Sequence, residues 1–154
     1  MKNAAVLVVA LLALGLTQPV AQADEGADSI IGIWHTTGDK SEVQIVKRGG
    51  RYYGQIVSLK EPNWPPTAKP GLAGTPKKDK NNPDPTLRGR LITGIEVMSD
   101  FLPDGKDHWD EGKIYDPENG KTYKSKMTLT GANRLEVRGY IGISLIGRTV
   151  VWTR

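Results

Sequence analysis

Residues 112–154, GKIYDPENGKTYKSKMTLTGANRLEVRGYIGISLIGRTVVWTR, decide the fold of the chain. Polar and apolar side chains alternate along residues 123–130 and again along residues 134–141, and a period of two is typical of β-strands. Turn-forming residues precede each run, at residues 116–120 (DPENG) and 131–133 (GAN). Because two strands are not stable alone in water, the remaining chain must complete a sheet.

The rest of the chain supplies further strands with mostly short connections. Strands are predicted at residues 30–37, 41–48, 52–59, 91–100, 109–115 and 144–154. Short connections favour an up-and-down order, and eight antiparallel strands can close into a barrel that has no free edge. The sequence therefore predicts an all-β, eight-stranded antiparallel up-and-down barrel, whose interior is filled by side chains or holds one small ligand. A two-sheet sandwich fits the same alternation and remains the alternative.

The first residues follow the pattern of a secretory signal peptide. Lys2 precedes an apolar run at residues 4–16, and Ala21-Gln22-Ala23 fits a cleavage site. We therefore predict a signal peptide at residues 1–23, a single domain at residues 24–154, and a periplasmic or secreted protein. The apolar run is short for a membrane span, so no membrane-spanning segment is expected after cleavage.

Composition narrows the possible chemistry and partners. The chain has no cysteine, which excludes disulfides, thiol catalysis and cysteine-ligated metals. Of its net charge of +4, the segment 60–88 carries most, and this segment also holds seven of the ten prolines. Prolines at this density predict a long Pro/Lys-rich loop. A basic loop on a neutral body lacks the broad basic face that nucleic acids require, so we expect no nucleic acid but allow an envelope polyanion or protein partner.

No arrangement of residues indicates catalysis or metal binding. His35 and His108 are far apart in the sequence, and a zinc site needs a third ligand. Residues 79–84 (DKNNPD) lack the glycine and the distal glutamate of a calcium loop, so a capped turn is expected there. The chain has no Gly-x-Ser-x-Gly nucleophile elbow. We therefore predict no catalytic residue, no metal and no cofactor.

Arginines are the polar residues with the most informative positions. Arg88 and Arg90 follow the long loop, whereas Arg138 and Arg148 lie on late strands. Any of them that points into the barrel must be paired or bind an anion, because a lone buried charge is very costly. The fork of a guanidinium suits a carboxylate or a phosphate. For Arg138, alternation with apolar neighbours favours an outward side chain.

Both ends of the barrel sequence resemble the lipocalin and calycin pattern. Gly32-Ile33-Trp34 lies on the first strand and Trp152-Thr153-Arg154 on the last. In that pattern an N-terminal tryptophan packs at one end of the barrel under a basic side chain from near the C-terminus. The resemblance therefore implies structural roles for Gly32, Trp34, Trp152 and Arg154.

Nearly the whole predicted mature chain resembles domain of unknown function 2147, a family of exported bacterial proteins. The matching pieces are Gly32-Ile33-Trp34, residues 79–90 (DKNNPDPTLRGR), 112–117 (GKIYDP), 120–123 (GKTY), 138–142 (RGYIG) and 147–154 (GRTVVWTR). The resemblance implies a lipocalin-like barrel in the cell envelope, and it implies no reaction.

Two functions remain open on the sequence. In the first, a non-catalytic barrel binds a small apolar or amphipathic ligand, with segment 60–88 as a lid. The candidate ligand-binding residues are Tyr53, Trp64, Arg90, Trp109, Tyr115, Tyr123 and Met127. In the second, the core is packed, and an envelope interaction or structural protein uses segment 60–88 for a partner. Asp116 is assigned a structural role, because it can bond backbone groups of its own turn.

Overall fold

The computed structural model describes residues 26–154, and the predicted signal peptide, residues 1–23, lies outside the described residues. Its strands are β1 (Gly32–His35), β2 (Ser41–Arg48), β3 (Arg51–Leu59), β4 (Glu96–Pro103), β5 (His108–Asp116), β6 (Lys121–Gly131), β7 (Arg134–Tyr140) and β8 (Gly147–Thr153). Short 3₁₀ helices lie at Ala27–Ile30, Thr37–Asp39 and Pro85–Leu87.

The eight strands form a closed barrel in which each strand is antiparallel to the next. The circle closes where β1 pairs with β8, with His35 opposite Thr153. This topology confirms the predicted up-and-down barrel and excludes the two-sheet sandwich. Residues 60–95, which we name the β3–β4 segment, make the long connection and contain one 3₁₀ helix and no named strand.

Three strands begin later than the sequence pattern predicts. β1 begins late because Ala27–Ile30 forms a 3₁₀ turn. β4 begins late because Leu91 bridges to Lys78 within the β3–β4 segment. β8 begins at Gly147 because residues 141–146 form the connection from β7. In each case local hydrogen bonding replaces the start of the expected strand.

Aromatic side chains fill one end of the barrel interior, which we name the filled end. Its largest fully buried side chains include Trp34, Tyr52, Phe101, Trp109 and Met127. The rings of Tyr52 and Trp109 meet edge to face with centroids 6.1 Å apart, a geometry that aromatic pairs favour.

The 3₁₀ turn Ala27–Ile30 plugs the filled end. Its first and last side chains are buried, and Trp34 Nε1 donates a 2.8 Å hydrogen bond to the carbonyl oxygen of Ile30. The guanidinium of Arg154 lies 4.5 Å from the centre of the Trp34 ring and donates to the carbonyl oxygen of Ala132. A cation over an indole face contributes about 0.5–2 kcal/mol. The contact therefore joins the two termini of the barrel.

A charged cluster holds this plug to the barrel wall. Lys47 Nζ and Tyr52 Oη donate to Asp28 Oδ1 at 2.7 and 2.5 Å. The hydrogen bond from Lys47, followed by that from Tyr52, lowers the pKa of Asp28. Burial and then the bond to Asp28 raise the pKa of Tyr52 to about 12. At neutral pH the cluster is therefore an ionised carboxylate held by a cation and a neutral phenol.

Gly112 on β5 makes room for the buried ring of Phe101. A Cβ at this position would overlap that ring, and close-packed interiors leave little free space for the ring to move. Two residues further along the same face of β5, Ile114 lines an open cavity. The filled part of the barrel therefore ends between Gly112 and Ile114.

We expect Gly112→Ala to lower the free energy of unfolding by about 1–3 kcal/mol, because the added methyl group overpacks against Phe101. Urea denaturation followed by tryptophan fluorescence measures this loss. Gly139→Ala on β7 is the matched control, since its Cβ would lie at an ordinary 3.5 Å from Ile114 Cγ2. Equal losses in the two variants would contradict the proposed packing.

Candidate functional site

An open cavity of about 1700 Å³ occupies the end of the barrel opposite the plug. The connections β1–β2, β5–β6 and β7–β8 surround it, together with the β3–β4 segment. Its apolar wall includes the half-buried Val150 and, at its base, the buried side chains of Val43, Ile56, Val97, Val137 and Trp152. Ligand sites of this kind are concave and mostly apolar, with a few polar groups that orient the ligand.

The cavity exists because inward positions carry smaller side chains towards this end. On β7, the inward face passes from Leu135 through Val137 to Gly139, and the last two line the cavity. At the filled end, the corresponding inward positions carry indole and phenyl rings. The side chains of the open half therefore leave unfilled the volume that aromatic residues occupy at the other end.

Basic side chains dominate the cavity lining near its mouth. Six lysines contribute, namely Lys40, Lys60, Lys69, Lys77, Lys78 and Lys80. The acidic residues in the same lining are Glu61, Asp116 and Glu118. With Arg148 included, the lining carries seven basic and three acidic side chains, so the mouth favours anions.

Arg148 is the one arginine in this lining. It lies two and four residues before Val150 and Trp152 on β8, and alternation places all three on the inner face. Within residues 26–154 its guanidinium has no ion-pair partner. A planar guanidinium with free donors can bind a carboxylate or a phosphate through two hydrogen bonds.

Trp64 covers part of the cavity from the β3–β4 segment. Its backbone N–H donates to the carbonyl oxygen of Thr75 at 2.9 Å, which closes a local turn. Lys77 and Lys80 place their ammonium groups 5.8 and 5.6 Å from its ring centre. The indole Nε1 is buried and has no hydrogen-bond partner in the part of the chain that the structure describes.

A buried carboxylate fixes the β3–β4 segment beside the mouth. Asp79 is 0 % exposed, and its two oxygens accept from Tyr115 Oη at 2.5 Å and Asn82 Nδ2 at 2.8 Å. Arg90 adds donors at 3.0 Å from Nε and 2.9 Å from a terminal nitrogen. Four donors satisfy the carboxylate, as burial of a charge requires.

The same part of the segment also contacts the β5–β6 turn. Asn81 Nδ2 donates to the carbonyl oxygen of Glu118 at 2.8 Å, and a Cβ at Gly120 would overlap the backbone of Asn81. Arg88 Nε donates to the carbonyl oxygen of Asn82 at 2.7 Å. Residues 79–90, which we name the clamp, therefore fasten the β3–β4 segment to β5 and to the β5–β6 turn.

The clamp holds its groups in defined protonation states. Burial raises the pKa of Asp79, but the hydrogen bonds from Tyr115, Asn82 and Arg90 together outweigh it and leave that pKa below its usual value. Burial and then the bond to Asp79 raise the pKa of Tyr115 to about 12. At neutral pH an ionised Asp79 therefore faces a protonated Tyr115.

Three of the predicted ligand-binding residues line the cavity, namely Trp64, Tyr115 and Tyr123. The structure places the other four elsewhere. Trp109 and Met127 are packed in the filled end, and Arg90 is engaged by Asp79. Tyr53 lies on the outer face of β3, where Arg48 stacks 3.9 Å from its ring centre. None of the large buried side chains of the filled end lines the cavity.

Several residues of the cavity were not assigned a binding role from the sequence. Val137, Val150 and the lysines of the β3–β4 segment line it. For the two valines, the sequence signal is an inward-facing position on strands that end at the open side of the barrel. Trp152, assigned a structural role, is buried in the same wall. Asp116 accepts from the Glu118 backbone N–H at 2.9 Å within its own turn.

Two kinds of feature are absent from residues 26–154, a group of metal-ligating side chains and a membrane-spanning helix. No group of three His, Asp or Glu side chains is arranged there to hold a metal ion. No helix in that range is long and apolar enough to cross a membrane. The DKNNPD sequence forms a capped turn, in which Asp84 accepts from the Thr86 backbone N–H at 2.9 Å.

We expect Asp79→Asn to lower the free energy of unfolding at pH 7 by about 2–3 kcal/mol, because it removes a charge-assisted network. Since the pKa of Asp79 is lowered by folding, its contribution is present above about pH 4 and is lost as the pH falls through the folded-state pKa. The difference between wild type and variant should therefore shrink in acid. Chemical denaturation at a series of pH values measures it.

Asp84→Asn is the control, because asparagine caps a helical turn about as well as aspartate. It should leave the free energy of unfolding at pH 7 close to the wild-type value. A wild-type advantage over Asp79→Asn that is unchanged between neutral and strongly acidic pH would contradict the clamp.

Comparisons with known proteins agree with the barrel fold. The family model DUF2147, described as uncharacterized protein conserved in bacteria, matches residues 32–154. Protein HP1028 from Helicobacter pylori, whose structure is described as belonging to the lipocalin family, is similar at 29% identity and a TM-score of 0.66, covering 80% of this chain and 81% of that chain. The comparison with curated proteins found no match. The barrel is thus lipocalin-like, and the chain belongs to the DUF2147 family.

Proposed function

We propose that this protein is an exported, non-catalytic carrier of a small amphipathic molecule with an apolar tail and an anionic head. One observation carries the proposal: the barrel interior is filled at one end and open at the other, and the open half is apolar inside and basic at its mouth. An amphipathic anion matches this gradient from wall to rim.

The tail is assigned to the wall of the cavity. Side chains such as Val43, Ile56 and Val150 offer no hydrogen bonds, so they favour alkyl groups over polar ones. Burial of apolar surface contributes about 25 cal/mol per Å², which makes an alkyl chain in this wall a major source of affinity.

The anionic head is assigned to the mouth. Arg148 supplies a guanidinium on the inner face of β8, and the lysines of the β3–β4 segment add positive charge around it. A carboxylate or phosphate satisfies these donors, whereas a neutral head leaves them unpaired.

Export rests on the predicted signal peptide at residues 1–23, and the similarity to a lipocalin supports a binding role. The alternative function requires a packed core, and the open cavity at one end of the barrel argues against it. The basic β3–β4 segment, which that alternative assigned to a partner, instead contributes to the wall and mouth of the cavity.

We expect Val150→Trp to weaken binding of a fluorescent long-chain fatty acid by about tenfold or more, because the indole occupies the volume meant for the tail. Fluorescence titration measures the affinity. Val57→Trp is the matched control, since Val57 faces outward on β3 and is 39% exposed. Unchanged binding in Val150→Trp, with the fold intact by circular dichroism, would contradict the proposal.

We expect Arg148→Gln to weaken binding of a fatty acid about five- to tenfold, because a charge-assisted bond is lost. Binding of the fatty alcohol of equal chain length should change little. Arg134→Gln is the control. Arg134 begins β7 at the filled end, where its side chain is exposed and pairs with Glu136. Equal losses for acid and alcohol would remove the anionic head from the proposal.

A further inference from the structure

The β7–β8 connection, residues 141–146 (IGISLI), exposes large apolar side chains at the rim of the cavity. Ile143 is 60% exposed and Leu145 is 84% exposed, and Ile141 and Ile146 are about two-thirds exposed. Only Ile141 and Ile146 line the cavity, so Ile143 and Leu145 point away from any ligand inside it. Exposed apolar residues grouped in one short segment mark an interaction site rather than ordinary surface.

The connection is held in this conformation by hydrogen bonds. Arg138 Nε donates to the carbonyl oxygen of Ser144 at 2.7 Å, and a terminal nitrogen donates to that of Leu145 at 3.3 Å. The Ile141 backbone N–H donates to the carbonyl oxygen of Ile146 at 3.2 Å, which closes the base. Arg138 therefore does not face a ligand but braces an apolar tip whose backbone polar groups are partly satisfied within the connection.

Among the connections between consecutive strands in residues 26–154, only the β7–β8 connection groups large apolar side chains that are 60% or more exposed. The turns at the filled end, residues 49–50 (GG), 104–107 (DGKD) and 131–133 (GAN), contain no large apolar residue. At the open end the neighbouring β1–β2 and β5–β6 connections are polar, and the mouth has the excess of basic side chains described above. An apolar tip beside a basic rim has two features that together bind anionic lipid surfaces.

We propose that the β7–β8 connection inserts into the headgroup region of an anionic lipid bilayer and that the lysine rim contacts its phosphates. This interaction goes beyond ligand binding in the cavity and does not depend on it. Docked in this way, the barrel presents its mouth to the bilayer. A lipid bilayer is favoured over a protein partner, because a single protruding apolar tip can insert into a bilayer without a pocket of complementary shape.

Flotation with vesicles containing phosphatidylglycerol and phosphatidylethanolamine tests the proposal. Wild-type protein should float with these vesicles, bind weakly to phosphatidylcholine vesicles, and dissociate as ionic strength rises. The double variant Ile143→Ser, Leu145→Ser should reduce the bound fraction about tenfold or more, because two apolar anchors are lost. Ile33→Ser is the matched control, since Ile33 is 46% exposed on the outer face of β1.

Tryptophan fluorescence provides a second measurement, which locates the inserted residue directly. Leu145→Trp should show a blue shift of tryptophan emission with the anionic vesicles, and Ile33→Trp should not. Vesicle binding by the double variant at the wild-type level would overturn the proposal. So would a wild-type dimer in vesicle-free solution that the double variant abolishes, because the tip would then contact a second copy. Fatty-acid titration of the double variant tests the proposed function separately, because neither substituted residue lines the cavity. Unchanged vesicle binding with normal fatty-acid binding would contradict the bilayer proposal alone.

Discussion

The contact between the Phe101 ring and Gly112 is the constraint on which the division of the interior depends. A small eight-stranded barrel encloses only enough space for its own side chains or one small ligand. Where a glycine admits a ring from the adjacent strand, the interior is solid, and where valines and Gly139 follow on the same faces, it is open. The cavity is therefore a result of side-chain size along the strands.

The open end needs a different source of order, because the aromatic core does not reach it. The clamp supplies this order through Asp79, whose charge is fully buried and therefore has to be satisfied by several donors at once. Tyr115 and Arg90 meet that requirement from different parts of the chain, which fixes the β3–β4 segment relative to β5. A segment with many prolines thus obtains from one carboxylate the rigidity that it cannot obtain from strand pairing.

Alternation and turn residues were sufficient to predict the closed barrel, because period two and short connections are local signals. The late start of β4 was not predictable, since the bridge between Leu91 and Lys78 joins residues of an irregular segment. The site was predicted in part. Aromatic type led to Trp64 and Tyr115, which line the cavity, but also to Trp109, which packs in the core. Residue type does not reveal depth along the barrel axis, and depth decides between core and cavity.

The four arginines singled out in the sequence show how the fold distributes positive charge. Arg88 and Arg90 bind within the clamp, and Arg138 braces the β7–β8 connection. Arg148 is thus the one of the four that lines the cavity. Lysine ammonium groups are flexible point charges that raise the local concentration of anions, whereas a guanidinium presents a planar fork of donors that matches a carboxylate or a phosphate. In the proposed carrier, the lysines therefore attract the anion and Arg148 determines how its head is oriented.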